Sequence, residues 1–129
     1  MPIAIVVLLA AAVLKPPVIH ETFTLLPCPK HPVSTLDLEG CSEQAIVRTD
    51  RKIDAQAKAI FTLLRADARA TFVRGERAWL QYRQASCFAA SSKYAGGTFS
   101  GVVAASCTLA RSKSHLSDLI DLRKTLSGP

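Results

Sequence analysis

The chain has 129 residues, with 16 Lys and Arg against 10 Asp and Glu, for a net charge of +6; this leaves room for one domain and favours acidic partners. Hydrophobic residues make up 49% but aromatic ones only 6%, so a core must be built mainly from Ala, Leu, Val and Ile packed between helices. The basic residues are scattered rather than interleaved with aromatics, which argues against nucleic acid as a partner.

In chain order, Ile3 to Leu14 is a charge-free apolar run stopped by Lys15-Pro16-Pro17. It falls short of the roughly 20 residues an untilted membrane span needs, and Ala10-Ala11-Ala12 supplies small residues of the kind signal peptidase accepts. Residues 1–15 therefore read as a signal peptide or, since no Lys or Arg precedes the run, a weak N-terminal anchor. Export to the periplasm, the cell envelope or the medium follows. Leu25-Leu26-Pro27-Cys28 lacks the small residues of a lipobox. Residues 16–40 read as an extended Pro-rich segment, because Pro27, Pro29 and Pro32 exclude a continuous helix.

From Ser42, Ile46, Ile53, Ala57, Ile60 and Leu64 recur at helical spacing, which predicts a long amphipathic helix to about Ala70. A second helix is expected from Thr71 to Ala89, with Phe72, Trp79, Tyr82 and Cys87 on or beside one face, and Gly75 breaking or weakening its join to the first. Ser91 to Thr98 has loop composition, with Gly96-Gly97 suited to positive φ. A third helix starts near Gly101 or Val102, carries Val103, Ser106, Leu109, Lys113, Leu116 and Ile120, and fades near Leu126. The expected fold is all-α: a small antiparallel three-helix bundle over residues 41–126 with two disulfides and an extended N-terminal segment.

Four cysteines in a short chain with an export signal imply an oxidising compartment and a disulfide framework. Three connectivities are possible. Nearest-neighbour pairing, Cys28–Cys41 and Cys87–Cys107, closes the shortest loops, each stabilising the fold by about 3 kcal/mol in the chain-entropy account. Cys28-Pro-Lys-His31 has ligand-like spacing, but Cys41, Cys87 and Cys107 supply no second close pair, so neither metal nor cofactor is expected.

The segment Glu76-Arg-Ala-Trp79-Leu-Gln-Tyr82-Arg83-Gln-Ala-Ser-Cys87 resembles the signature of the LprI-like lysozyme inhibitor family, a Trp-Leu-x-Tyr-Arg-x-x-x-Cys motif. Leu38-Glu-Gly-Cys41 followed by Arg48-Thr-Asp50-Arg-Lys-Ile53 is similar to the family's first-helix pattern, with Asp54 and Ala57 replacing its usual Asn and Tyr. The Gly-Gly-Thr loop, Cys107 and Thr108-Leu-Ala-Arg111 to Leu116 resemble its closing pattern. The resemblance covers about Cys28 to Leu116 and implies an exported helical domain, some of whose relatives inhibit lysozyme.

Trp79 beside a disulfide cysteine on an amphipathic helix reads as core, with Tyr82 next to it. Arg83 is expected to form an internal bidentate pair with Asp50 or Asp54, and Arg111 to play the same kind of structural part. Catalysis is not expected. His20, His31 and His115 are dispersed, no Gly-x-Ser-x-Gly elbow is present, and Asp50 with Asp54, one turn apart, is flanked by Arg51, Lys52 and Lys58.

Two binding readings remain. In the first the partner is a lysozyme, or another envelope or secreted protein, met by the loop residues Lys93, Tyr94, Gly96, Gly97 and Thr98, with Lys93 approaching a catalytic carboxylate. Animal lysozymes are themselves often basic, so long-range repulsion opposes that encounter. In the second, Arg48, Arg51, Lys52, Lys58, Arg65 and Arg69 form a basic helical face toward anionic envelope polymer or lipid.

Overall fold

The computed structural model describes residues 13–129, so the leader expected over residues 1–15 falls almost wholly outside the described residues. Ser34 decides where helix begins. Its hydroxyl accepts the Asp37 N–H, and the Asp37 carboxylate accepts the N–H groups of Val33 and Ser34. This capping box satisfies amides that a helix start leaves without partners. It opens α1 (Thr35–Leu63), earlier than the Ser42 expected, so the extended segment ends at Ser34 rather than at residue 40.

The chain reverses at Leu64-Arg65 into α2 (Ala66–Ser92) and again at Lys93 to Thr98 into α3 (Phe99–Ser127). Neither Gly nor Pro marks the first reversal. Leu64 instead turns inward against the buried cluster of Ile53, Ile60 and Leu119, so tertiary packing ends α1 ahead of the expected Ala70. Gly75 lies inside α2 with open space around it and breaks nothing. The result is an all-α, three-helix bundle, antiparallel by virtue of its short connections.

Along α1 the buried residues Glu43, Ile46, Asp50, Ile53, Ala57 and Ile60 alternate at spacings of three and four, the repeat that keeps one seam facing a partner helix. Ala105, Ser112 and Leu119 are the buried seam of α3, one heptad apart. The face expected from Ser106 and Lys113 points instead to solvent. α3 packs along both other helices, whereas α1 and α2 approach each other much less.

The apolar core is gathered toward the α1–α2 turn, where Ile19, Leu64, Phe72, Trp79, Leu116 and Leu126 pack on the buried cluster. The opposite end is held by two disulfides, Cys28–Cys41 and Cys87–Cys107, with Cα separations of 4.5 and 5.4 Å. The extended segment runs as a strap antiparallel to α1. Asp54 accepts the Ile19 N–H at 3.2 Å, Glu43 accepts the Leu26 N–H at 3.0 Å, and Gln44 donates to the Leu26 carbonyl at 3.0 Å. At Gly40 the strap comes so close that a Cβ would strike the Pro27 carbonyl. Among the described residues no helix is long and apolar enough to cross a membrane.

Candidate functional site

Halfway along the bundle the interior turns polar. Arg83 on α2, only 7% exposed, donates to Asp50 Oδ1 of α1 at 3.1 Å, to Ser112 Oγ of α3 at 3.0 Å and to Glu21 Oε1 of the strap at 2.6 Å. One guanidinium thus ties all four segments together. The fork suits this task because its donors diverge in a plane. Ser112, fully buried, is small enough to let it through.

Burial, then the hydrogen bond and charge of Glu21, push the Asp50 carboxyl up to about 8, against the lowering influence of Arg83. The same carboxyl has one atom without a partner. Asp50 Oδ2 is buried without a hydrogen-bond partner, a position that a neutral carboxyl tolerates better than a charged one.

Next to this cluster Trp79 stacks on His115, with ring centroids 3.8 Å apart, and the Arg83 guanidinium lies 5.4 Å from the indole centroid. His115 Nε2 is 3.0 Å from Glu76 Oε2 across the α2–α3 interface. Trp79 packs against the core as its motif suggested. Tyr82 does not. It is 55% exposed, because Arg83 takes the inward position, one residue and about 100° further round the helix. Arg111 also departs from expectation: it is exposed and lies 6.0 Å over the Tyr82 ring rather than in an internal ion pair. Asp54 serves the strap, not Arg83, and burial raises its carboxyl pKa against the lowering contributions of the Ile19 amide and His20.

The loop Lys93 to Thr98 lies at the disulfide end, where α1 begins, α2 ends and α3 begins. Successive backbone bonds, Tyr94 to Ser91, Ala95 to Ser92, Gly97 to Tyr94 and Ser100 to Gly97, wind it into consecutive turns. Gly96 has φ +86°, where a side chain would be strained. The Tyr94 ring meets Phe99 edge-on at 4.9 Å, and Lys93 Nζ lies 5.8 Å from the Tyr94 centroid. Among the exposed large apolar side chains, Phe88 at 76%, Leu36, Leu38, Tyr94 and Phe99 belong to the loop and the helix ends beside it.

Of the six cations expected to form a basic face, Arg48, Arg51, Lys52 and Lys58 are exposed on α1. Arg65 is paired with Asp67, and Arg69 lies over the Phe61 ring while donating to the Phe61 carbonyl. A cleft of about 590 Å³ opens between the strap, α1 and α2, floored by α3. Its carboxylates, Glu21, Glu39 and Glu43, were not singled out by sequence reasoning, nor was Phe88. Glu39 and Glu43 carry a weak signal, a pair one turn apart in the motif around Cys41; Glu21 lies in a segment without periodicity and carries none.

These features define a small disulfide-stapled helical domain whose buried charges hold its segments together. The family model described as Lysozyme inhibitor LprI matches residues 28–119, and the chain belongs to that family. The family's description is that of an inhibitor. No curated protein and no solved structure matches the chain.

Proposed function

We propose that the protein is an exported inhibitor of lysozyme that acts by protein–protein contact through its disulfide end. Family membership supplies the partner class. The observation that carries the choice of surface is the exposure of Leu36, Leu38, Phe88, Tyr94 and Phe99 on the helix ends and loop beside Cys87–Cys107. Exposed apolar clusters rimmed by polar groups are characteristic of docking faces. Lys93, Tyr94, Gly96, Gly97 and Thr98 would enter the substrate cleft of the lysozyme, with Lys93 facing a catalytic carboxylate. Both disulfides suit an oxidising compartment.

Titrating a c-type lysozyme with the folded, oxidised protein tests this reading. Activity should fall in a saturable manner with added inhibitor. No loss of activity at large molar excess would remove the proposal.

A further inference from the structure

The cleft that runs from Arg83 toward the disulfide end has a composition opposite in sign to the chain as a whole. Its floor is made of small α3 residues, Gly101, Ala104 and Ala105, and Phe88 lines it while remaining 76% exposed. Glu39 and Glu43 project from α1 into the same space. Among the described residues neither carboxylate is paired with a cation, and the one guanidinium lining the cleft, Arg83, is already engaged by Glu21, Asp50 and Ser112. Gly101 makes room for the Glu39 carboxylate, which a Cβ at that position would displace. Burial first, and then the charge and hydrogen bond of Glu43, raise the Glu39 pKa, and Glu43 Oε2 also accepts the Leu26 N–H at 3.0 Å.

We propose that this cleft receives a Lys or Arg side chain of the inhibited lysozyme, its charged head between Glu39 and Glu43 and its aliphatic stem against Phe88. The inference rests on the inhibitor reading for the identity of the partner. It commits to a side chain on a protein surface because the cleft ends at Ser91 and Gly101, next in the chain to the segments that carry exposed Tyr94 and Phe99. It also relieves the charge difficulty: two basic proteins repel at long range, but a desolvated local pair of opposite charge offsets this at contact. Phe88 adds an aromatic face to which a cation or its methylene stem is attracted.

Two measurements test the proposal and separate it from the inhibitor reading. In calorimetric titrations with c-type lysozyme, Glu39→Gln and Phe88→Ala should each weaken Kd tenfold or more while leaving the thermal unfolding midpoint within a few degrees of the parent. In ¹⁵N-resolved NMR titrations with a blocked Leu-Arg-Leu peptide, amide shifts should be confined to the cleft around Glu39, Phe88 and Gly101. A Leu-citrulline-Leu control should produce none, and Glu39→Gln should abolish the response. Tight lysozyme binding unaffected by both substitutions would overturn the cleft proposal and leave the inhibitor reading standing. Peptide shifts in the cleft without any lysozyme binding would overturn the inhibitor reading and, with it, lysozyme as the source of the side chain. Absence of both would overturn both.

Discussion

Arg83 matters because of how much negative charge converges on it. Two carboxyl groups and one buried hydroxyl share a single guanidinium, and removing it leaves Glu21 and Asp50 facing each other without a cation. Breaking a buried ion pair from one side costs about 3–5 kcal/mol. Arg83→Leu should therefore lower the unfolding free energy by about that much in urea titrations. The deficit should shrink in acid, where both carboxyls are protonated. A uniform deficit across pH would point to lost packing instead.

Asp50 gives a second prediction at the same scale. Its carboxyl rises from 3.8 to about 8 on folding, so between those limits the native state holds a proton that the unfolded chain has released. By linkage, this contribution to stability is complete below the lower value and is lost progressively as pH rises to the upper one. Asp50→Asn, which keeps a neutral donor toward Glu21 and an acceptor for Arg83, should flatten the decline in the urea midpoint between pH 5 and about 8. Parallel pH profiles for the two proteins would refute the protonated assignment. An internal pair of Arg83 with Asp50 or Asp54 was legible from the sequence because all three lie on patterned helices, but the fork divides between Asp50 and Glu21 instead of gripping one carboxylate bidentately. Glu21 was not legible, since an extended strap with no periodicity gives no register. Arg111 misled for the opposite reason: a helical Arg looks alike whether it turns inward or stacks on an exposed Tyr82.

Among the elements, the strap is the one whose position depends on a missing side chain. Gly40 admits the Pro27 carbonyl, and the Cys28–Cys41 bond follows within a residue on either chain segment. Gly40→Val should force the strap off α1, lower the melting temperature by several degrees and speed proteolysis between Val18 and Pro27, with the helix content seen by circular dichroism little changed. Unaltered proteolysis would show that the strap has another route past the helix. The existence and order of the helices were readable from periodicity. Their limits were not, for two separate reasons. The start of α1 was signalled by Ser34 and Asp37, a capping pair obscured by the preceding prolines, whereas its end at Leu63 rests on where Leu64 packs and has no local signal. On α2 the expected face holds at Phe72, Trp79 and Cys87 and fails at Tyr82, and the buried Glu76 went unnoticed because a search for apolar recurrence passes over it.

For the whole molecule, the two ends are stabilised by different means. Apolar packing dominates near the α1–α2 turn and covalent bonds near the loop, with the Arg83 cluster between them. Reduction should consequently loosen the molecule unevenly: amides of Phe88 to Val103 should lose protection from hydrogen exchange well before those of Ile53 to Ile60. Equal loss in both regions would mean that the bundle opens as one cooperative unit. If loosening is confined to the loop end, reduction should also end lysozyme inhibition while the remainder of the bundle persists, since the proposed docking face lies in the part held by the bridges.

The stacking of Trp79 on His115 has a practical consequence. The chain contains a single tryptophan, and it sits at the middle of α2 against α3 rather than in the loop. Its emission is therefore an internal optical gauge of the helical body, with the loop end out of its direct view. Disturbing the Arg83 cluster should alter that signal, while trimming Lys93 or Phe88 should leave it alone, so a variant that no longer acts on its target can be classified as misassembled or merely blunted from one cuvette reading.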